Sequence, residues 1–340
     1  MLIRELDYHL PPELIAQTPT EPRDACRLMV IDRRTGTISH HHFYDLPDLL
    51  QANDLLVAND SRVIPARLIG RKPTGGKVEL LLLRRLNRHE WLGLVGGRNV
   101  HEVLLRVNSS QIVTATVAEN ASKSDWTITF NEPIEPYLDG IGLMPLPPYI
   151  HEKLSDQSGY QTVYAHISGS AAAPTAGLHF TPDLIKNLDH KSIEMAFVTL
   201  HVGLDTFKPI TEEVVESHQI HSEWCELPVQ TAQAITRARN KAGRVVAVGT
   251  TSVRVLETAA SEQQASTSPL TYSGFTRLYI TPGYRFKAVD AMITNFHLPR
   301  STLLAMIGAF MGIDLWRTAY AEAIREKYRF YSFGDAMLIL

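Results

Sequence analysis

Between residues 62 and 131 the chain carries six short strand-like segments, at 62–71, 78–85, 90–95, 102–107, 112–119 and 125–131, with no helical stretch between them. Clusters of Gly, Asn, Ser and Asp divide most of them. Val113, Ala115 and Val117 alternate with Thr114 and Thr116, and Trp126, Ile128 and Phe130 alternate with Thr127 and Thr129. A period of two places one face of each strand inward. Many short strands in succession close most simply into a small barrel or sandwich. The flanking sequence has a different rhythm, so the expected fold is α/β: a discontinuous α/β domain over 1–61 and 151–340, interrupted by an inserted small all-β barrel domain at 62–150.

The flanks supply the α/β pattern. Arg27 to Asp32 predicts a strand, turned at Thr35-Gly36 and returned through Thr37 to His40. Pro11 to Ile15 predicts a short helix, and Asp54 to Ala58 a buried strand. The adjacent His40, His41 and His42 alternate faces on a strand, which suits a solvated hairpin edge better than a metal site. Ile193 to Leu200 and the fully apolar Arg244 to Gly249 predict further strands, the latter buried on both faces. Pro228 to Ala242 predicts a helix closed by Gly243, and Ser301 an N-cap for a helix over 302–312. The proline-rich Gly142 to Ile150 marks the return from the insert. Residues 153–160 predict a mobile loop, and 328–339 a closing strand pair.

At 340 residues, with 44% hydrophobic and 20% charged content, the chain has the composition of a soluble globular protein of about two domains. Two cysteines, Cys26 and Cys225, are too few for a disulfide framework. No export signal is evident at the amino terminus, and the apolar run from Leu303 to Ile313 falls short of the roughly 18 residues of a membrane span. A cytoplasmic location is expected. The formal charge of -3 names no partner, but its distribution does. Between 62 and 106, ten Lys or Arg face three Glu, an excess suited to a polyanion or to a solvated surface.

The stretch Ala171 to Thr181 is built of small residues around Pro174, Gly177 and His179, and Thr181-Pro182-Asp183 then opens a helix. Its small residues let backbone approach a ligand, and Gly177 permits a geometry that larger residues resist. Two other strand-to-helix junctions end in polar groups: Gly249-Thr250-Thr251-Ser252 and Thr294-Asn295-Phe296-His297. Ligands of open α/β sheets gather beyond the carboxyl ends of strands, where such groups offer donors to a carboxylate or phosphate. Each junction alone also fits simple helix capping. No glycine-rich dinucleotide fingerprint, Walker loop or paired Cys-x-x-Cys is present. His218, His221 and Cys225 have a zinc-like spacing without an evident fourth ligand, so no metal is expected.

Several blocks together resemble one family, the S-adenosylmethionine:tRNA ribosyltransferase-isomerases of queuosine biosynthesis. They are Asn59 to Leu68, Gly142 to Ile150, Tyr160 to Ala165, Ala172 to Phe180, Glu194 to Gly203, His221 to Glu223, Val248 to Arg254, Pro282 to Lys287, Thr294 to Pro299 and Tyr328 to Phe330. The chain departs from the family's usual pattern at Asp205 and at Ser158-Gly159.

The resemblance implies an α/β domain interrupted by a β-barrel. It also implies an enzyme that transfers the ribosyl moiety of S-adenosylmethionine and isomerises it. The acceptor is 7-aminomethyl-7-deazaguanine at the tRNA wobble position, and the products are epoxyqueuosine-tRNA, adenine and methionine. S-adenosylmethionine is a co-substrate, with no further cofactor, membrane or obligate protein partner expected. Proton transfers in this reaction suit histidines, so His179, His201 and His297 are the candidate catalytic residues. Thr175, Gly177, Thr250, Thr251, Ser252, Arg254 and Asn295 are candidate substrate contacts, and Arg62, Arg67, Arg71 and Lys72 candidate tRNA contacts. The alternatives are a non-catalytic tRNA-binding protein and a conventional RNA methyltransferase.

Overall fold

The structure, a computed structural model, describes residues 1–121, 125–152, 156–203, 210–262 and 270–340. The chain opens with 3₁₀ turns at Ile3–Leu6, Pro12–Leu14 and Arg23–Ala25, then β1 (Arg27–Ile31), β2 (Ile38–His42), α1 (Leu46–Leu49), β3 (Leu55–Asn59) and β4 (Ser61–Val63). β5 (Arg67–Arg71), β6 (Lys77–Arg85), β7 (Glu90–Gly96), β8 (Glu102–Arg106), β9 (Ile112–Glu119) and β10 (Trp126–Phe130) follow. α2 (Glu135–Ile141) and β11 (Gly142–Leu143) lead out of this group. The remainder is β12 (Ile167–Ser170), α3 (Pro182–His190), β13 (Glu194–Leu200), β14 (Glu223–Leu227), α4 (Val229–Asn240), β15 (Val245–Val248), α5 (Gly249–Glu262), β16 (Tyr272–Thr276), β17 (Ala291–Asn295), α6 (Thr302–Met311), α7 (Ile313–Arg325) and β18 (Ala336–Ile339).

Nine strands form one sheet in the order β16-β14-β13-β3-β15-β17-β18-β1-β2. Its centre, β13-β3-β15-β17, is parallel, so these strands end at the same edge. Alternation divides the core cleanly. Leu55 and Val57 pack with α4, α5 and α6 on one face, while Leu56 and Ala58 pack with α3 on the other. Strands buried on both faces read as continuous apolar runs, which is why Val245–Val248 was legible.

β5 to β10 form the barrel. The order β5-β6-β7-β10-β9-β8 closes where Arg71 of β5 pairs with Leu104 of β8. Gly70 makes that closure sterically open, because a Cβ there would lie 2.4 Å from Val103 Cγ1 and 2.9 Å from Leu104 O. The inward alternation Val113, Ala115, Val117 and Ile128, Phe130 fills its core.

The strand expected over 62–71 is two strands. Pro65 offers no N–H and breaks the ladder, leaving β4 to pair with β12 outside the barrel and β5 to enter it. The expected closing pair at 328–339 is a single strand, β18. The chain before it runs irregularly, held by buried Asp335, which accepts Arg27 N at 2.9 Å and Arg329 N at 2.7 Å. Helix α4 ends with Ala242, not Gly243, in the left-handed region, at φ 58°. Of the loop expected at 153–160, Gln157–Tyr160 forms a 3₁₀ turn with Tyr160 buried, and residues 153–155 lie outside the described residues. Asp205 also lies outside them. Among the described residues no helix is long and apolar enough to cross a membrane.

Candidate active site

The three polar junctions do converge. Beyond the carboxyl edge of β15 and β17, Thr175, Thr250, Thr251, Asn295 and His297 line one hollow of about 60 Å³. That is room for roughly two waters, not a nucleoside. Leu303 also lines a second, far larger cavity of about 1320 Å³, so the two share a wall. The large cavity lies between barrel and sheet. Trp91, Arg84, Arg85 and Asp139 face it from one side; His201, Trp224, Arg254 and Phe275 face it from the other.

The Ala171 to Thr181 stretch is core as well as site. Ala172, Ala173 and Ala176 each belong to a different buried cluster, so their smallness serves close packing of three layers. Gly177 has no positive φ. It is small because a Cβ would lie 2.0 Å from the Tyr164 hydroxyl. Thr181 caps α3 by accepting Leu184 N at 3.1 Å.

His179 is buried and lines neither cavity. Asn295 Nδ2 donates to its Nε2 at 3.0 Å, and its Nδ1 meets Cys26 Sγ at 3.1 Å. Asn295 completes the set by accepting from Thr175 Oγ1 at 3.1 Å and donating to Tyr331 O at 3.2 Å. Burial, then the nearby Arg23 and Arg329, push the His179 pKa down to about 3, so the imidazole is neutral. His297 sits in the small hollow with Nε2 at 2.7 Å from Thr294 Oγ1, and burial likewise lowers its pKa to about 3.

His201 follows β13 into the large cavity. It stacks on Trp224, centroids 5.2 Å apart, and its buried Nδ1 has no hydrogen-bond partner among the described residues. Burial lowers its pKa, which favours the neutral base at pH 7. Arg254, on α5, is buried against Glu223 through Nη1, while its buried Nη2 has no partner among the described residues. Thr251 Oγ1 is unpartnered too. Leaving such groups dry and unpaired costs about 1–3 kcal/mol each, a cost that a bound polar ligand would remove. Ser252, by contrast, donates to Val248 O at 2.8 Å and is fully buried, so it caps rather than contacts.

The proposed tRNA cations lie elsewhere. Arg62, Arg67, Arg71 and Lys72 line neither cavity; Arg67 pairs with Glu79 at 3.3 Å, Arg71 donates to Gly75 O, and Lys72 to Arg98 O. Sequence reasoning missed Trp91, Trp224, Phe275 and Arg277, and counted Arg84 only as one of the ten cations of the basic stretch. Only Phe275 carries an unusual feature, being 52% exposed on edge strand β16 with the Arg84 guanidinium 5.7 Å over its ring. The zinc-like spacing dissolves, since Cys225 is packed in the apolar core. Among the described residues no group of three or more His, Cys, Asp or Glu is placed to hold a metal ion.

An open α/β sheet with its polar residues beyond the parallel strand ends, facing a closed barrel across a deep cleft, defines a two-part α/β enzyme scaffold. The chain belongs to the queuosine biosynthesis protein family, whose profile matches residues 3–339. It is 50% identical over its full length to the S-adenosylmethionine:tRNA ribosyltransferase-isomerase of Symbiobacterium thermophilum, also covered in full. The protein of that name from Moorella thermoacetica is 51% identical, with both chains fully covered. The crystal structure of an S-adenosylmethionine tRNA ribosyltransferase from Thermotoga maritima is 38% identical, with a TM-score of 0.58, covering 99% of this chain and 100% of that one.

Proposed function

We propose that the cleft between barrel and sheet transfers and isomerises the ribosyl moiety of S-adenosylmethionine onto 7-aminomethyl-7-deazaguanine at the wobble position of tRNA. The products are epoxyqueuosine-tRNA, adenine and methionine, and S-adenosylmethionine is consumed as a co-substrate. Full-length identity of about half to relatives bearing that activity's name supports the reaction. The observation that carries the site is that His201 and Arg254 line one cavity wall, each with a buried nitrogen that has no partner among the described residues.

The reaction removes a proton from carbon beside the sulfonium and returns one to departing adenine, while a neutral amine attacks. We assign acceptance of that proton to His201, whose Nδ1 has no hydrogen-bond partner among the described residues. Arg254, anchored on Glu223 through one nitrogen, has the other left for a carboxylate such as that of the methionyl group. Thr251 adds a hydroxyl at the entrance of α5. His179 touches no open space and Asn295 lines only the small hollow; the two act by fixing the Thr175 loop to β17. His297, tied to Thr294, shapes the small hollow.

On the RNA side, Phe275 offers a flat exposed face, flanked by Arg84 and Arg277, neither of which pairs with a carboxylate among the described residues. Unpaired RNA bases are read by such aromatic and guanidinium planes. The reaction belongs in the cytoplasm, with its tRNA.

The test is incubation with S-adenosylmethionine and tRNA carrying the aminomethyl base. Release of adenine and methionine with mass gained by the tRNA is the expected result. S-adenosylhomocysteine instead would mean methyl transfer, and RNA retention without adenine release would mean a binding protein.

A further inference from the structure

His201 follows directly on β13, and its ring is held from several directions. Its backbone N–H donates to Trp224 O at 3.0 Å, which sets the two residues side by side across β13 and β14. The imidazole then stacks on the Trp224 indole with an interplanar angle of 23°. Gly169, from the unrelated strand β12, completes the enclosure. A Cβ built there would stand 2.9 Å from both Cε1 and Nε2 of His201 and 3.2 Å from Cδ2. Near-equal distances to three ring atoms place that Cβ over the ring's face, not its edge. Gly169 also has φ 142°, a conformation that side chains rarely adopt. Among the described residues nothing donates to or accepts from Nδ1.

We propose that Gly169 and Trp224 are positioning residues that grip the His201 imidazole and aim it at the reacting carbon, Gly169 by its missing side chain and Trp224 by its flat one. The inference rests on His201 being the proton acceptor named above. A ring without a hydrogen-bond tether is free to turn about its side-chain torsions. Here the tether is steric: a backbone pressed on the ring and an indole stacked with it. That leaves the ring nitrogens uncommitted, so a bound ligand meets a base already oriented. Misplacement of about 1 Å can cost on the order of 100-fold in rate, so such a grip matters to turnover.

The test separates the grip from the chemistry. In uniformly labelled protein, the His201 side chain is identified by its loss in His201→Gln, and the signals read are its three-bond couplings, which report the ring's torsion and not the ring current of Trp224. Trp224→Leu and Gly169→Ala should move those signals, and Trp224→Phe, which keeps a flat ring, should leave them near the wild-type position. Turnover should fall about 10-fold or more in Trp224→Leu and Gly169→Ala, with KM for both substrates within about twofold, and recover in Trp224→Phe. Because φ at Gly169 strains any alanine, Trp224→Leu decides the matter if Gly169→Ala fails to fold. Unmoved couplings in Trp224→Leu would overturn the grip. Moved signals with unchanged turnover would overturn its role in catalysis. Wild-type turnover in His201→Gln sinks the proton-acceptor reading itself, and the couplings show independently whether the grip exists.

Discussion

The Asn295 amide nitrogen lies 3.0 Å from Nε2 of His179, so the histidine that dominates the sequence pattern is spent on holding a loop to a strand. With Cys26 on its other nitrogen, the ring has no atom left for a substrate. We expect His179→Ala to lower stability by about 1–3 kcal/mol, through the orphaned Asn295 amide and the space left behind. His201→Ala should leave the melting temperature near wild type and abolish turnover. Thermal melts and rate measurements on the two variants check this, and equal stability in both would contradict it.

Acid should weaken the fold. His179 and His297 have pKa values near 3 when folded, against an ordinary value of about 6.5. Between those values the unfolded chain binds protons that the folded chain refuses, so stability is full above pH 6.5 or so and is lost as pH falls. Half-buried Asp60 and buried Asp335 are raised, chiefly by desolvation, and oppose this at the acid end, because a folded carboxyl that holds its proton gains stability as pH drops. Urea unfolding at pH 5 should show about 2–4 kcal/mol less stability than at pH 7. Replacing His297 by Gln should remove part of that difference, and a flat profile would refute the assignment.

The RNA face should follow the cleft and not the charge density. Phe275→Ala is expected to weaken binding of a modified anticodon stem-loop by about 1–3 kcal/mol, the usual worth of one stacked base. Arg84→Gln should lower the salt slope of binding by about one. Arg71→Gln and Lys72→Gln, on residues already bonded to backbone carbonyls, should do less. Filter binding across a salt series settles the order, and the reverse ranking would restore the barrel's outer surface as the contact.

Ala242 carries a φ of 58° just beyond α4. Left-handed backbone costs an alanine roughly 1 kcal/mol or more, so Ala242→Gly should raise stability by about that amount, less the entropy glycine adds to the unfolded chain. The midpoint of a urea transition measures it directly; no rise would mean that the helix end relaxes.

Much of the fold was legible because it is written locally. Thr114 and Thr116 point out and Val113, Ala115 and Val117 point in, whatever the rest of the chain does. Val245–Val248 reads as buried on both faces for the same reason, and Thr181 and Ser301 cap α3 and α6 as their sequence contexts imply. Where the pattern misled, a single residue decided: Pro65 split one strand into two, and Asp335 held as irregular chain what had read as strand.

The site was half legible. Residues at strand ends could be named, since strand-to-helix junctions leave a trace in glycine and hydroxyl residues. Which of them face open space could not be read, because that depends on neighbours far away in sequence. Nothing near His179 announces Cys26 or Asn295, and nothing near His201 announces Gly169. By itself the sequence determined the α/β rhythm, the barrel strands and the family, all carried by short-range periodicity and contiguous blocks. Only the tertiary structure decided that His179 is walled in while His201 lines the cleft, because burial and partnership arise from packing between distant segments, which no local pattern encodes.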